Sequence, residues 1–153
     1  MSETQLPEKI LTIPPEWIDR NGHVNVAYYV LAFDYATDAF YDTLGIGEAY
    51  QEKGFSVFTL GMNVDYLREI FEGTKIRMTT QLINWDKKRL HYFHRMFNLD
   101  AGYLAATNEC IAMHIDLNKR KSAPFSAETN ANIEATMNQH AQLSHPHSLV
   151  RKL

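Results

Sequence analysis

The chain has 153 residues, 45% of them hydrophobic and 12% aromatic, so it is long enough to bury the core of one domain. Fifteen Lys and Arg residues stand against 18 Asp and Glu residues, and the net charge of −3 argues against binding to nucleic acid or another polyanion. The first twenty residues lack a basic start followed by an apolar core, and no apolar run approaches the length of a membrane span. We therefore expect a cytoplasmic protein without membrane contact.

The first half of the chain predicts a short strand and one long helix. Residues 8–18 are apolar but contain two prolines, which favours an edge or irregular strand. Asn25 is a good N-cap, residues 26–44 carry apolar side chains at three- and four-residue steps, and Gly45 can end the helix. Because the opposite face is also largely apolar, we expect the rest of the chain to surround this helix.

The second half of the chain predicts four long strands, at residues 55–69, 73–85, 89–99 and 103–117, which are rich in β-branched and aromatic residues. The short segments between them favour antiparallel connections, as in a meander or a close variant. Residues 122–141 predict a terminal amphipathic helix, and residues 142–153 predict a flexible tail. The expected fold is α+β: one domain, residues 1–141, in which an antiparallel sheet wraps a central helix.

Polar side chains stand at alternate positions just before the predicted helix. Asp19, Asn21 and His23 lie in the stretch WIDRNGHVNVAYY, and an extended backbone would turn all three to the same side. An Asp before a helix is often only a turn or cap residue, and Asn21 and His23 could serve local hydrogen bonds. The pattern therefore leaves a structural and a chemical role open.

Two further features have simpler explanations than a site. Cys110 lies in the apolar run ECIAMHI, where a thiol usually fills a core, and a single cysteine cannot form an internal disulfide. Asp34, Asp38 and Asp42 form a stripe with four-residue spacing, but no His joins it at the spacing of a metal site. We expect this stripe to be a solvated face or a dimer contact, and we expect no metal or cofactor.

The segment DRNGHVNVAYYVLAF resembles the D-x-x-G-H-V-N-N-x-x-Y segment of hotdog-fold acyl-CoA thioesterases of the 4-hydroxybenzoyl-CoA thioesterase type. The order of the predicted elements is similar over about residues 8–125. The chain departs from the family pattern in having Trp17 in place of a first Asp and Val26 in place of a second Asn. The resemblance implies a hotdog domain, a homodimer or dimer of dimers with active sites between subunits, and hydrolysis of an acyl-CoA thioester.

The resemblance also implies roles for individual residues. Asp19 matches the carboxylate that acts as nucleophile or general base, and Asn21 and His23 match its polar partners. The first backbone amides of the helix, at Val26 and Ala27, would hold the carbonyl oxyanion, because they are unsatisfied donors at the positive end of the helix dipole.

The substrate implied by the resemblance is a small acyl-CoA. The most similar members of the family imply an acyl group that carries a fixed positive charge. Aromatic faces bind such a cation, and the candidates are Trp17, Tyr28, Tyr66 and Trp85, although aromatic residues are usually core and a medium-chain acyl pocket would also be aromatic. The candidates for binding the CoA phosphates are Arg68, Lys88 and Arg89. A hotdog hydratase and a non-catalytic acyl-CoA-binding protein are the alternatives, and the presence of Asp19 argues against the second.

Overall fold

The protein folds as a curved antiparallel sheet that holds one long helix. The structure, a computed structural model, describes the backbone of residues 1–153 and every side chain except that of Thr4. The strands are β1 (Glu8–Thr12), β2 (Phe55–Tyr66), β3 (Lys75–Trp85), β4 (Arg89–Asn98), β5 (Leu104–Asp116) and β6 (Lys121–Ser122). The helices are α1 (Val26–Leu44), α2 (Glu48–Gln51) and α3 (Ala127–His140), with single 3₁₀ turns at Glu3–Gln5 and Pro15–Trp17.

Helix α1 has the limits that its capping residues predict. The side chain of Asn25 accepts a hydrogen bond from the Ala27 amide at 3.0 Å, and Gly45 ends the helix in the left-handed region at φ 74°. Eight of its side chains are buried, from Tyr29 to Leu44. Tyr35 and Val26 remain exposed, so the helix is covered on most of its circumference but not all of it.

The sheet order is β1-β3-β4-β5-β2, with β6 paired to the end of β5. Strands β3, β4 and β5 form the predicted meander, and β1 is the predicted edge strand. The prediction of short antiparallel connections throughout is wrong for residues 67–74. Because β2 pairs with the far side of β5, this segment crosses from one edge of the sheet to β3. On the way it passes the start of α1, where the Ile70 carbonyl accepts a hydrogen bond from the Val24 amide at 2.9 Å.

Two apolar clusters pack between α1 and the sheet. The first surrounds the N-terminal half of the helix and includes Trp17 and Phe33. The second surrounds the C-terminal half and includes Phe40, Tyr92 and Cys110. Cys110 is core, as predicted, and burial raises the pKa of its thiol to about 12, so it stays a thiol at neutral pH.

A neutral histidine joins the helix to the centre of the sheet. His94 on β4 is fully buried, with Nε2 at 2.9 Å from Thr37 Oγ1 on α1 and Nδ1 at 2.8 Å from Thr80 Oγ1 on β3. Its ring stacks on Phe33 with 5.6 Å between centroids. Burial lowers the pKa of His94 to about 3, because a low-dielectric site disfavours the charged imidazolium.

The C-terminal segment is bound to the sheet, so the prediction of a loose tail is wrong. The carboxylate of Glu109 on β5 is buried and accepts hydrogen bonds from the backbone amides of Val150 at 2.8 Å and Arg151 at 2.7 Å. His91 Nε2 lies 2.9 Å from the same carboxylate. Because Glu109 is next to Cys110 in the strand, its side chain points to the face away from α1. The tail therefore packs on the outer face of the sheet, where its backbone amides bind a buried carboxyl group.

Candidate active site

The residues Asp19 to His23 form a tight turn immediately before α1. The Asp19 amide donates to the His23 carbonyl at 3.0 Å, and the Gly22 amide donates to the Asp19 carbonyl at 3.0 Å. Gly22 has φ 82°, which glycine adopts without strain. The backbone is therefore not extended here, and the three side chains do not share one side. Asp19 and His23 lie opposite each other at the base of the turn, and Asn21 is exposed near its tip.

Asp19 uses its two carboxylate oxygens differently. Oδ1 accepts a hydrogen bond from the Asn21 amide at 2.8 Å, which is the turn role that an Asp here commonly has. Oδ2 lies 3.5 Å from Asn25 Nδ2, at the limit of a hydrogen bond. The side chain is half-buried. One oxygen thus stabilises the turn, and the other is directed to the start of the helix with only a long contact.

The helix start offers one amide donor rather than the two predicted. The Ala27 amide is occupied by the Asn25 side chain, so the prediction that it is an unsatisfied donor is wrong. The amide of Val26 makes no hydrogen bond within the described residues. It lies in the first turn of a 19-residue helix, where the dipole favours negative charge. The Val26 amide is therefore the donor that remains available to an oxyanion.

His23 borders a groove of about 190 Å³ beside the helix start. Its Nδ1 donates to the Val24 carbonyl at 3.0 Å, and its Nε2 lies 3.8 Å from the carboxylate of Glu69. Tyr66 on the other wall donates its hydroxyl to the Val26 carbonyl at 3.1 Å. The remaining lining residues are Val24, Val26, Tyr29, Leu67, Arg68 and Glu69. The groove thus has a polar entrance and an aromatic wall.

Three of the four predicted aromatic residues lie near the helix start. Trp17 stacks on Tyr28 with 5.3 Å between centroids and 11° between planes. Tyr66 meets Tyr29 edge to face, with 5.1 Å between centroids. Trp85 packs in the second apolar cluster, beside the C-terminal half of α1. Within one chain, the candidate Trp85 therefore lies apart from the other three.

The three predicted basic residues do not form one cluster. The Arg68 amide donates to the Ala105 carbonyl near the start of β5, and its guanidinium lies 3.8 Å from the centre of the Tyr103 ring. Arg89 is paired with Met113, eight residues further along β5, which corresponds to about 27 Å. Arg89 also binds the Asp86 carboxylate through two nitrogens, at 2.8 and 2.6 Å. Only Arg68 therefore lies at the same end of the sheet as Asp19.

A second groove runs along α1 on the side that faces β2. It has a volume of about 310 Å³. Helix residues Ala27, Val30, Leu31, Phe33, Asp34 and Thr37 form one wall, and Thr59, Met62, Asn108 and Cys110 on the strands form the other. Because Ala27 belongs to the first turn of the helix, one end of this groove reaches that turn, whereas Val26 lines the first groove.

The geometry adds residues that the sequence did not identify as site residues. Asn25 was predicted only as a cap, yet it also contacts Asp19; its place between the motif and the helix could have indicated this. Glu69 approaches His23 only through folding, and no local pattern shows it. Among the side chains that the structure describes, no three His, Cys, Asp or Glu residues are grouped to hold a metal ion. No helix in the described chain has both the length and the apolar character needed to span a membrane.

A long helix held by a curved antiparallel sheet is the architecture of the hotdog fold. The model of the thioesterase-like superfamily matches residues 13–133, and the chain belongs to this family. The family and fold predicted from the sequence are thereby confirmed.

Individual relatives agree with this assignment. The chain is 38% identical over 138 residues to the betainyl-CoA thioesterase of Pseudomonas aeruginosa, covering 90% of this chain and 87% of that one. It is 35% identical over 159 residues to an L-carnitine dehydrogenase/betainyl-CoA thioesterase of Ruegeria pomeroyi, of which the match covers 32%. Among solved structures, a hypothetical protein of Staphylococcus aureus in complex with CoA has a TM-score of 0.88 at 29% identity, covering 97% of this chain and 94% of that one.

Proposed function

We propose that the protein hydrolyses betainyl-CoA to glycine betaine and free CoA. The observation that carries the proposal is the 38% identity to a betainyl-CoA thioesterase over nine tenths of the chain. The chemistry is supported by the placement of Asp19 beside the start of α1. Relatives that combine this domain with an L-carnitine dehydrogenase support a place in carnitine breakdown.

Asp19 supplies the carboxylate that the reaction requires. As a general base, its free oxygen takes a proton from water while the water oxygen bonds to the thioester carbon, the C–S bond breaks, and the departing sulfur takes a proton. As a nucleophile, the same oxygen bonds to the thioester carbon, the C–S bond breaks, and the departing CoA sulfur takes a proton; water then cleaves the resulting anhydride, which releases the acid and restores the Asp19 carboxylate. Both routes use Oδ2, because Oδ1 is held by the Asn21 amide.

The Val26 amide stabilises the charge that develops on the carbonyl oxygen. It is the donor in the first helical turn that is left without an acceptor within the described chain, and the helix dipole adds to its effect. Asn25 positions this arrangement by capping the helix and contacting Asp19. His23 and Asn21 shape the turn, His23 through its bond to the Val24 carbonyl.

Aromatic candidates lie around the helix start, where the acyl-CoA would enter. Tyr66 lines the first groove, whereas Trp17 and Tyr28 stack on each other beside it. An aromatic face beside a cation contributes on the order of 1 kcal/mol. Arg68, held over Tyr103 at the rim of the groove, is the basic residue that we assign to a CoA phosphate. Hydrolysis of another short or medium acyl-CoA is the alternative substrate, and the Asp19 carboxylate favours catalysis over simple acyl-CoA binding.

The proposal includes a homodimer joined through β2. This 12-residue strand pairs with β5 on one side only, and Phe58, Leu60 and Met62 on it are exposed. A long apolar edge strand is a surface that proteins usually cover. Two copies paired edge to edge would bury it and would place the second groove between subunits. A dimer of dimers and a cytoplasmic location stay predictions.

A substrate panel tests the function. The full chain should release thiol from betainyl-CoA with a higher kcat/KM than from acetyl-, butanoyl-, octanoyl- and benzoyl-CoA. A second comparison replaces the trimethylammonium group by a neutral tert-butyl group, which keeps the shape and removes the charge. We expect about a tenfold or greater loss, because each favourable contact with the fixed positive charge contributes on the order of 1 kcal/mol and the neutral group loses them together. Equal rates for the charged and neutral pair would reject the betainyl assignment and leave acyl-CoA hydrolysis standing.

A further inference from the structure

The second groove brings together a carboxylate and an unpaired amide. Asp34 lies on its helix wall, one turn beyond Leu31, and has an exposed side chain. Asn108 on β5 lines the same groove and is 99% buried, with a relative exposure of 1%. Its Oδ1 has no hydrogen-bond partner among the described residues. The unpaired Oδ1 is the negative end of the amide dipole, so it can face a positive ligand group through charge–dipole attraction without a hydrogen bond.

The charges beside the groove favour a cation. Asp34 also lines an adjoining groove of about 370 Å³, whose wall carries Asp38, Asp42 and Glu48. Burial and the neighbouring carboxylates Asp34, Asp42 and Glu48 raise the pKa of Asp38, whereas Lys9 on β1 opposes this shift. A row of carboxylates that repel one another gains from a positive ligand. Asp34 is the member of this row that borders the groove leading from the helix start.

The distance from the reacting carbonyl to Asp34 matches the length of a betainyl group. Val26 and Asp34 are eight residues apart on α1, which is about 12 Å along the helix axis. An oxyanion lies about 3 Å from its amide donor. Three bonds of roughly 1.2 to 1.5 Å each then join the carbonyl oxygen to the ammonium nitrogen, and a contact pair of charges adds about 4 Å. The sum is at most about 11 Å, slightly less than the interval, and the Asp34 side chain closes the difference because helical side chains tilt towards the N-terminus of the helix.

We infer that Asp34 is the specificity residue that selects a quaternary ammonium acyl group, with Asn108 beside it in the groove. This inference rests on the proposed function, because the ammonium group belongs to the proposed substrate. Asp34 pairs with the positive charge at the far end of the acyl chain, while Asp19 and the Val26 amide act on the thioester at the near end. The amide dipole of Asn108 stabilises the cation where the groove meets the sheet.

The test compares Asp34→Asn with the unchanged protein on betainyl-CoA and on its neutral tert-butyl isostere. The substitution removes the charge and keeps the shape. We expect kcat/KM for betainyl-CoA to fall about tenfold, and kcat/KM for the isostere to change less than about twofold. Tetramethylammonium chloride should inhibit the unchanged protein competitively, and its inhibition constant should rise by a similar factor in the variant. Asp38→Asn, one turn further along the same stripe, is the control and should keep the preference for the charged substrate.

Each outcome separates this inference from the proposed function. If the unchanged protein hydrolyses acyl-CoA esters without preferring betainyl-CoA, the proposed substrate fails first. If it prefers betainyl-CoA and Asp34→Asn retains that preference, the inference about Asp34 alone is overturned. An equal loss on both substrates also overturns it, because that result shows a structural effect rather than recognition of charge. Equal losses in the Asp38 control would assign selectivity to the whole acidic stripe and would likewise reject a specific role for Asp34.

Discussion

The two carboxylate oxygens of Asp19 separate its role in folding from its proposed role in catalysis. Its Oδ1 closes the turn by accepting from the Asn21 amide, and its Oδ2 points to the helix start. This explains why an Asp at this position is compatible with both roles considered from the sequence. An Asn side chain can also accept the turn bond, but it carries neither a base nor a good nucleophile.

The substitution Asp19→Asn should therefore preserve the fold and remove hydrolysis. We expect a loss in kcat on the order of 10²- to 10⁴-fold, since general acid–base catalysis usually contributes that much. Thiol release under saturating substrate measures the loss, and thermal unfolding checks that the Tm is little changed. Arg20→Gln, at the neighbouring exposed position of the turn, serves as the matched control. Turnover close to normal in Asp19→Asn would refute the catalytic assignment.

At the scale of elements, α1 and the β3 to β5 meander are joined by a histidine that must remain neutral. His94 links Thr37 of the helix to Thr80 of the neighbouring strand. Its pKa is about 3 in the folded protein and 6.5 in a model peptide. Below pH 6.5 the unfolded chain thus binds more protons than the folded one. The free energy of unfolding therefore loses nothing to His94 above pH 6.5, and it falls as the pH decreases from 6.5 towards 3.

This difference predicts an acid-sensitive fold. The free energy of unfolding should fall between pH 6 and pH 4 with a contribution from His94 that approaches about 1.4 kcal/mol per pH unit. His94→Gln, which has a donor and an acceptor but does not titrate, should show a shallower dependence. Urea unfolding at a series of pH values measures the slopes, with His145→Gln in the exposed C-terminal segment as the control. Identical slopes for His94→Gln and the unchanged protein would contradict this prediction.

The elements were more predictable from the sequence than the site was. Asn25, Gly45 and the apolar spacing define α1 locally, and long β-rich runs define four strands, so composition and period suffice for them. The pairing of β2 with β5 depends on contacts between distant residues, which no local pattern encodes. The same holds for the Glu69 contact with His23. The Ala27 amide could donate either to the Asn25 side chain or to a substrate oxyanion. The sequence does not show which acceptor it binds, whereas the structure shows the Asn25 side chain.

At the scale of the whole molecule, the two edges of the sheet differ. The β1 edge is short, and α3 covers the part of β3 beyond it, where the Leu82 amide donates to His140 Nδ1 at 2.8 Å. The β2 edge is long and apolar, with Leu60 57% exposed at an interruption of the pairing to β5. The C-terminal segment reaches this strand through Arg151, whose guanidinium donates to Asn63 Oδ1. Of the two edges, the longer and more apolar β2 edge is therefore the one that we expect a second copy to cover.

Association should therefore depend on β2. Sedimentation of the unchanged chain should show at least a dimer, since the edge strand is otherwise exposed. Leu60→Lys should shift the equilibrium towards monomer, because a symmetric contact would bring two new charges together. Leu99→Lys changes a similarly exposed leucine at the end of β4 and should leave the dimer intact. A monomer with full activity would contradict both the interface and a site shared between subunits.

The cap of α1 also limits how this active site can change. Asn25 satisfies a helix amide with one end of its side chain and approaches the Asp19 carboxylate with the other. A Ser there would keep the cap and lose the contact, whereas an Asp would keep the cap and repel the neighbouring carboxylate. A substitution that tunes the reactivity of Asp19 from this position must also preserve the helix start. Substitutions that adapt the protein to new thioesters are therefore less constrained along the walls of the grooves than at Asn25, which both caps the helix and contacts Asp19.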